Sequence, residues 1–215
     1  MDMDAFYDKL EHAGYIPQTY SDKVRDGAAL AHALVGGGLT VVQVECMGTS
    51  GAKAIHDMAT AKPDLLVGAG AIATTDALAT AIESGAGFVT LPTYDETLCR
   101  ACLDADIPCI PTTVDEGGIF KAHKMGLIVT GMVTANPQDA ISCIDRFAAA
   151  FEGHRFMPIG CVDEDNTADF LADPAVLACC SEDWVTRPDF VEGGEYEGIT
   201  RLAAEANACV RRARK

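Results

Sequence analysis

The sequence predicts an α/β protein that folds as a single (β/α)8 barrel, and three observations lead to this prediction. Eight short apolar segments alternate with longer segments of helical periodicity along nearly the whole chain. Apolar runs such as Leu65-Leu66-Val67 are continuous, as in strands that are covered on both faces. The length suits one barrel, so we treat residues 1–215 as one domain. Strict alternation implies right-handed βαβ units, and eight units favour a closed parallel barrel over an open doubly wound sheet.

Capping and turn signals divide the chain into its elements. Thr74 and the pair Asn136-Pro137 are typical of helix starts, and the glycines at 37–38, 85 and 126 stand where helices must end. The predicted strands are Tyr15–Tyr20, Leu39–Glu45, Asp64–Ala69, Ala86–Leu91, Ile107–Pro111, Leu127–Val133, Arg155–Gly160 and Ala175–Cys180. The predicted helices cover residues 2–12, 23–36, 50–62, 74–84, 94–104, 115–125, 136–151, 163–172 and 195–213.

The charge of the chain narrows the classes of partner. There are 32 acidic and 16 basic residues, so the net charge is −16 with histidine neutral. Four of the basic residues, Arg211, Arg212, Arg214 and Lys215, lie within the last five positions. A body this acidic argues against nucleic acid and against anionic membrane surfaces as partners, because both need a basic face.

Segments that would direct the chain to a membrane or out of the cell are not evident. No run reaches the roughly 18 apolar residues of a membrane span, and the start, Met1-Asp2-Met3-Asp4, is acidic where a secretory signal needs positive charge. Nine cysteines at scattered positions do not form a disulfide framework, and the Cys99–Cys102 pair is interpreted as a buried helix face. We therefore expect a cytoplasmic protein.

The barrel prediction also says where chemistry should occur. Active sites of this fold lie at the C-terminal ends of the strands and in the loops that follow them. The five histidines, at positions 12, 32, 56, 123 and 154, fall on helices or in a loop that enters a strand. A histidine-based metal site or general base is therefore not expected.

Short motifs then follow one another in a specific order. Pro17 lies in the first strand, Val67-Gly68-Ala69-Gly70 ends the third, and Glu83-Ser84-Gly85-Ala86 precedes the fourth. The others are Ala31-His32-Ala33-Leu34-Val35, Phe88, Pro92, Ile107-Pro108, Ile110-Pro111, Trp184 and a closing segment over residues 194–203. In this order, over about residues 13–213, the chain resembles the 2-keto-3-deoxy-6-phosphogluconate (KDPG) and 4-hydroxy-2-oxoglutarate (KHG) aldolase family. The resemblance implies a TIM barrel with an N-terminal helix (1–13) capping its bottom, a homotrimer, and lyase chemistry on a 2-keto acid through a lysine Schiff base.

Matched residue by residue, the resemblance fails at the centre of the site. The family lysine on the sixth strand corresponds to Gly131, which has no amine. The seven lysines of the chain all fall on predicted helices or their ends, and Lys53 is the nearest alternative. The family's acid/base glutamate corresponds to Gln43, although Glu45 returns a carboxylate to the same strand face two residues later.

Other matched positions have changed as well. The family's substrate-binding arginine corresponds to Met47 and the threonine of its Gly-Ala-Gly-Thr motif to Ala71, whereas Pro92 is retained. The two Gly-Gly pairs that hold phosphate in the family correspond to Gly160-Cys161 and Ser181-Glu182. Like charges about 4 Å apart repel by about 1 to 4 kcal/mol, so Glu182 should disfavour a phosphate by roughly tenfold to a thousandfold. A mouth that holds both Glu45 and Glu182 should prefer cationic or polyhydroxyl contents.

Three hypotheses remain open. The first is a lyase of this family acting on a small 2-keto acid, bound at the C-terminal rim, without conventional Schiff-base chemistry. The second is a repurposed isomerase or deprotonating enzyme using Glu45 or Glu182, and the third is an inactive small-molecule-binding or assembly barrel. The predicted catalytic residues are Glu45 and Gln43, and the predicted substrate-binding residues are Pro92, Thr112, Thr113, Gly131, Gly160, Cys161, Ser181 and Glu182. We predict no cofactor; a divalent metal is the alternative electron sink, with Glu45, Cys161 and Cys180 as its conceivable ligands.

Overall fold

A computed structural model describes residues 2–46, 50–134, 136–182 and 184–215. Within them, eight parallel strands form one sheet. The strands are β1 (Tyr15–Tyr20), β2 (Val41–Glu45), β3 (Leu66–Gly70), β4 (Phe88–Leu91), β5 (Cys109–Pro111), β6 (Val129–Val133), β7 (Arg155–Ile159) and β8 (Cys179–Ser181). Their order is β5-β4-β3-β2-β1-β8-β7-β6, and a bridge between Thr112 and Gly131 joins the two outer strands, β5 and β6. The predicted (β/α)8 barrel is confirmed.

Helices separate the strands, as predicted. They are α1 (Met3–Ala13), α2 (Gly27–Gly36), α3 (Ser50–Ala61), α4 (Thr75–Glu83), α5 (Glu96–Asp104), α6 (Glu116–Lys124), α7 (Pro137–Ala150), α8 (Thr167–Ala172), α9 (Pro188–Gly193) and α10 (Tyr196–Ala213). Thr74 caps α4 by accepting from the backbone N–H of Ala77, and Asn136 caps α7 with Pro137 in the first turn. These two predicted helix starts are confirmed.

Six of the predicted strands begin too early, and the helix ends explain most of these errors. The N–H groups of Leu39, Ala86, Ile107 and Leu127 donate to carbonyls five residues back, in the last turn of the preceding helix. These apolar residues therefore close helix C-termini instead of pairing in the sheet. Periodicity alone assigns them to strands because they are apolar and directly precede the strand. The short helix α9 was not predicted at all.

An apolar plug fills the bottom of the barrel and is covered by α1. Phe6, Tyr7 and Leu10 of α1 pack against inward-facing strand residues such as Val41 and Phe88. The remaining members of this cluster are Ile16, Leu66, Ile110, Val129, Met157, Ile159, Leu177, Ala178 and Cys180. The predicted capping helix is thus confirmed. Because the bottom is closed by hydrocarbon, polar inward side chains occur only nearer the C-terminal ends of the strands.

A second apolar core lies between the outer face of the sheet and the helices. Outward-facing strand residues such as Val42, Val44 and Val67 contribute to this core, together with buried residues of the flanking helices. No helix among the described residues is long and apolar enough to cross a membrane.

One buried histidine makes the stability of the barrel sensitive to acid. His154, just before β7, is 3% exposed, and its Nε2 lies 3.1 Å from Oγ1 of Thr130. Burial, with a smaller contribution from His123, lowers the pKa of His154 to about 4. The unfolded chain, with a histidine pKa of about 6.5, therefore binds a proton between pH 6.5 and 4 that the folded chain does not bind.

We predict that His154→Gln shifts the pH dependence of stability. The free energy of unfolding of the variant minus that of the unsubstituted protein should increase by up to about 2 kcal/mol when the pH is lowered from 7 to 5. The reason is that the variant has no histidine with a depressed pKa to penalise its folded state. Urea denaturation at the two pH values measures this difference. His56→Gln, at an exposed histidine of α3, is the control and should leave the pH dependence unchanged. An equal difference at both pH values for His154→Gln would contradict the interpretation.

Candidate active site at the mouth of the barrel

Strand periodicity and register place five polar side chains at one side of the barrel mouth. In β1 and β2, Gln18 pairs with Gln43 and Tyr20 with Glu45 in register. Residues two apart share a strand face, so these four side chains point toward the barrel interior in two layers. Glu182 follows β8, the other neighbour of β1. The acidic side of the mouth, as we call the β8-β1-β2 sector that contains these residues, is therefore built by three adjacent strands.

Glu182 is held by two donors from β1. The hydroxyl of Tyr20 donates to Oε1 of Glu182 at 2.9 Å, and Nε2 of Gln18 donates to its Oε2 at 3.4 Å. Each carboxylate oxygen thus has one proton donor and keeps further capacity to accept. Hydrogen bonds of this kind keep Glu182 at the mouth, close enough to Glu45 for their charges to interact.

The carboxylate of Glu182 also sets the direction of two side-chain amides. Because an ionised carboxylate only accepts hydrogen bonds, Gln18 must present its NH2 group to Glu182. Its Oε1 therefore faces Gln43 and accepts from Nε2 of that residue at 2.9 Å. As a result, Oε1 of Gln43 has no hydrogen-bond partner among the described residues, although Gln43 is only 1% exposed. A buried amide oxygen without a donor is a costly arrangement that a bound ligand would relieve.

Glu45 is the titratable group with the most useful pKa at the mouth. Burial, with a smaller contribution from the charge of Glu182, raises the pKa of Glu45 to about 7. Its carboxyl group makes no hydrogen bond or ion pair with the described residues. Gly70, its partner in β3, is needed beside it: a Cβ there would lie 3.0 Å from Oε2 of Glu45 and 2.7 Å from Nε2 of Gln43.

Cys180 lies among these groups from β8. Its Sγ is 3.5 Å from Oε1 of Gln18. Complete burial, with further contributions from the charges of Glu45 and Glu182, raises the pKa of Cys180 well above its ordinary value. Cys180 is therefore a neutral thiol in this environment and not a nucleophile.

The opposite side of the mouth is formed by β5 and β6, where Thr112 and Gly131 carry no charge. The carbonyl of Gly131 accepts from the N–H of Thr113 at 3.0 Å, beside the bridge to Thr112. A Cβ at position 131 would lie 2.9 Å from Oγ1 of Thr112 and 3.0 Å from Cδ1 of Ile159. The space that a side chain at position 131 would use is therefore already occupied by Thr112 and Ile159.

None of the seven lysines, all of which are described, supplies an amine to the mouth. Lys23 pairs with Glu192, and Lys53 pairs with Asp57 one turn further along the outside of α3. The remaining lysines lie on α1, at or beyond the C-terminal ends of α3 and α6, or at the chain terminus: Lys9, Lys62, Lys121, Lys124 and Lys215. Helix C-termini lie at the bottom of such a barrel, because each helix runs back antiparallel to the strand before it.

The other predicted site residues take different places around the mouth. Thr113 is engaged at the start of α6, where its hydroxyl lies 3.3 Å from the backbone N–H and from Oδ2 of Asp115. Sγ of Cys161 lies 3.3 Å from the hydroxyl of Thr134, which joins the loops after β6 and β7. Ser181 is fully buried, whereas Pro92 and Gly160 are exposed. Met47 lies outside the described residues.

A metal-binding cluster is not found in the parts of the chain that the structure describes. No group of three or more histidine, cysteine, aspartate or glutamate side chains there has an arrangement that could hold an ion. Glu45, Cys161 and Cys180, the ligands considered from sequence, do not form such a group.

Gln18 and Tyr20 are the site residues that sequence reasoning missed. The strand Tyr15–Tyr20 is predicted correctly, but no side chain of this strand is among the predicted site residues. The available signal was Gln18, a polar residue at an inward position of an otherwise well-buried strand.

Comparison with known proteins decides the family. The family model for KDPG and KHG aldolases matches residues 7–202. The chain belongs to the KDPG and KHG aldolase family. It is 31% identical over 191 residues to the KHG/KDPG aldolase of Escherichia coli, covering 89% of each chain. It is 30% identical over 194 residues to the 2-dehydro-3-deoxy-phosphogluconate aldolase of Pseudomonas aeruginosa, covering 90% of this chain and 88% of that protein.

A solved aldolase structure agrees with the fold. The KDPG aldolase of Legionella pneumophila, with pyruvate captured as a covalent carbinolamine intermediate, superimposes with a TM-score of 0.84 at 22% identity. The match covers 92% of this chain and 96% of that one. Within this aldolase family, the present chain has Gly131 at the position that the resemblance gives to the Schiff-base lysine, and a network of amides and carboxylates at the mouth.

We predict that Glu45→Gln stabilises the protein at alkaline pH. The folded-state pKa of Glu45 lies above its unfolded value of about 4.5, so folding loses stability as the pH rises from 4.5 through 7. The free energy of unfolding of the variant minus that of the unsubstituted protein should therefore increase by up to about 2 kcal/mol between pH 5 and pH 8. This figure is reduced because Glu45 is partly exposed and solvent screens its charge. Urea denaturation measures the increase. Glu164→Gln, at an exposed glutamate after β7, should show no such growth.

A second prediction concerns the crowding at position 131. Gly131→Ala should destabilise the protein by about 1 kcal/mol, because the new Cβ meets Oγ1 of Thr112 and Cδ1 of Ile159. In a Thr112→Ala background the same change should cost less, since the nearer of these atoms is gone. A double-mutant cycle by chemical denaturation measures this coupling. Strict additivity would contradict the contact.

Proposed function

We propose that this chain is a carbon–carbon lyase of the aldolase family that acts on a small, unphosphorylated 2-keto acid without forming a Schiff base. Family membership supports the reaction class, and the inward Glu45 supports the mechanism. A carboxyl group whose pKa of about 7 matches the ambient pH can both accept and return a proton, which is what a general acid/base catalyst needs. The inward position of Glu45 at the end of β2, beside Tyr20 and Gly70, is the observation that carries the proposal.

The proposed cleavage needs one proton shuttle. Ionised Glu45 accepts the proton of the C4 hydroxyl of a 4-hydroxy-2-keto acid while the C3–C4 bond breaks. The C4 oxygen becomes the carbonyl oxygen of the aldehyde product, and the electron pair of the broken bond passes through C3 to the C2 carbonyl as an enolate. Glu45 then returns the proton to C3, which yields the 2-keto acid product. In this scheme Thr112 binds the carbonyl oxygen or the carboxylate, and Gly131 contributes no nucleophile.

The preference for an unphosphorylated substrate rests on Glu182. The resemblance places Glu182 where the family holds phosphate, and its carboxylate is fixed by Tyr20 and Gln18. A phosphate dianion there would face a like charge at short range, with a penalty of about 1 to 4 kcal/mol at a separation of about 4 Å.

Proton transfer without carbon–carbon cleavage is the second candidate. Deprotonation next to a carbonyl passes through the same enolate as retro-aldol cleavage and uses the same base. The inward Glu45, whose raised pKa suits proton transfer near neutral pH, therefore also supports an isomerase or tautomerase that leaves the carbon skeleton intact. The exchange of the methyl protons of pyruvate in D2O, without formation of an aldol product, would distinguish it from a lyase.

Two further parts of the proposal follow the family. We infer a homotrimer, because the resemblance implies one, and a cytoplasmic protein, because the nine free cysteines suit a reducing compartment. Light scattering after size-exclusion chromatography tests the trimer, and a monomer of 22.6 kDa would contradict it.

We predict that sodium borohydride with pyruvate leaves the mass of the protein unchanged. Reduction of a Schiff base would attach the keto acid to a lysine permanently, and no lysine is available at the mouth. Intact-mass spectrometry makes the measurement, with a lysine-dependent family member such as the Legionella pneumophila enzyme as the positive control. A stoichiometric adduct would contradict the proposal.

We also predict that Glu45→Gln lowers turnover by about a hundredfold or more, because an amide cannot transfer the proton. The assay follows both release of pyruvate from 4-hydroxy-2-oxobutanoate and exchange of pyruvate methyl protons in D2O. For the unsubstituted protein, kcat/KM should rise with pH to a plateau above about pH 7, as Glu45 ionises. Glu164→Gln should retain turnover. If the protein catalyses neither process under these conditions, the inactive binding barrel replaces both enzyme hypotheses.

A further inference from the structure

The acidic side of the mouth has more hydrogen-bond acceptors than donors. Glu182 has one donor on each oxygen, Glu45 has none among the described residues, and Oε1 of Gln43 has none although it is buried. Gln18 links Gln43 to Glu182, and Nε2 of Gln43 and Oε2 of Glu45 border the same space beside Gly70. The side chains that carry these acceptor oxygens therefore form one continuous group.

No basic side chain balances this group. The pKa of Glu45 is raised by burial and by Glu182, with no cation among the causes of its shift. The basic side chains that follow β1, β2 and β8 have their own acidic partners: Lys23 and Arg25 pair with Glu192, Lys53 with Asp57 and Arg187 with Asp189. The six residues outside the described ranges are Met1, Met47, Gly48, Thr49, Ala135 and Asp183, and none of them has a basic side chain.

We propose that the acidic side of the mouth binds the ammonium group of an amine-bearing substrate, held by Glu45, Glu182 and the unpartnered amide oxygen of Gln43. A primary ammonium has three N–H donors and no acceptor, which complements three acceptor groups. The ammonium group would donate a hydrogen bond to the unpartnered oxygen of Gln43. Its positive charge would also offset the repulsion between the carboxylates of Glu45 and Glu182. A neutral hydroxyl offers one donor and leaves the repulsion in place, and an anion adds to it.

The proposal rests on the function proposed above and specifies its substrate. The keto-acid end of the molecule would lie on the neutral side formed by Thr112 and Gly131, and the ammonium end on the acidic side. The substrate class is therefore a 2-keto acid with a positively charged amino group on its distal part. This distribution of charge is opposite to that of a phosphorylated sugar acid.

A head-group series tests the proposal on the whole chain. The probes are n-butylammonium, 1-butanol and butanoate, which share a four-carbon tail and differ in charge and hydrogen-bond donors. Binding is followed by chemical-shift titration of isotope-labelled protein near pH 7.5 in about 0.15 M salt, which screens exposed carboxylates more than buried ones. We expect n-butylammonium to bind at least about tenfold more tightly than 1-butanol, with butanoate the weakest. If 1-butanol or butanoate binds as tightly as n-butylammonium, the proposal is overturned without recourse to any variant.

Substitutions at the mouth test where the ammonium group binds. Glu182→Gln and Glu45→Gln should each reduce the preference for n-butylammonium over 1-butanol about tenfold, whereas Glu164→Gln should preserve it. A preference that survives in both mouth variants would place the cation elsewhere on this acidic protein and overturn the inference. Binding and turnover are read separately. Ammonium binding without turnover contradicts only the proposed function, and turnover without ammonium preference contradicts only this inference.

Discussion

The carboxylate of Glu182 is the constraint on which the mouth of this barrel depends. It can only accept hydrogen bonds, so it fixes the orientation of Gln18, which in turn fixes that of Gln43 and leaves one amide oxygen free. Its charge contributes to the raised pKa of Glu45. The side chain that follows β8 thus affects β1 and β2 through the amides of Gln18 and Gln43 and through the interaction of its charge with Glu45. The resemblance gives this position to a glycine that leaves room for phosphate, which is why the proposed substrate is unphosphorylated.

The rest of the barrel allows this arrangement because stability and chemistry are separated along the strands. The bottom is an apolar plug closed by Phe6, Tyr7 and Leu10 of α1. The acidic side chains lie beyond that core at the mouth, where ionised Glu45 lowers the stability of the folded state. Functional sites commonly carry such local costs, which the remainder of the fold offsets.

The fold could be predicted from sequence because strand and helix periodicities are local signals. The strand Tyr15–Tyr20 and the caps at Thr74 and Asn136 were predicted correctly, and Glu45 was placed on the same strand face as Gln43. Strand starts such as Leu39 were wrong because an apolar residue that closes a helix looks like the first residue of a strand.

The contacts of the site were harder to predict, because they join residues far apart in the chain. Tyr20 and Glu182 are 162 positions apart, and nothing in either local segment indicates that they meet. Thr113 shows the converse problem. Its position after β5 predicts a substrate ligand, which stays a prediction. Its hydroxyl also contacts Asp115 in the turn that begins α6, a local interaction that strand periodicity does not reveal.

Direct titration of the Glu45 carboxyl tests the central claim, that a buried acid beside Glu182 sets the chemistry of the mouth. The side-chain carboxyl carbon of Glu45, assigned with the Glu45→Gln variant, can be followed by NMR across the pH range. The account predicts a midpoint near 7 that moves downward in Glu182→Gln, because a like charge has been removed. A midpoint near the ordinary value of about 4.5, unmoved by that substitution, would contradict it.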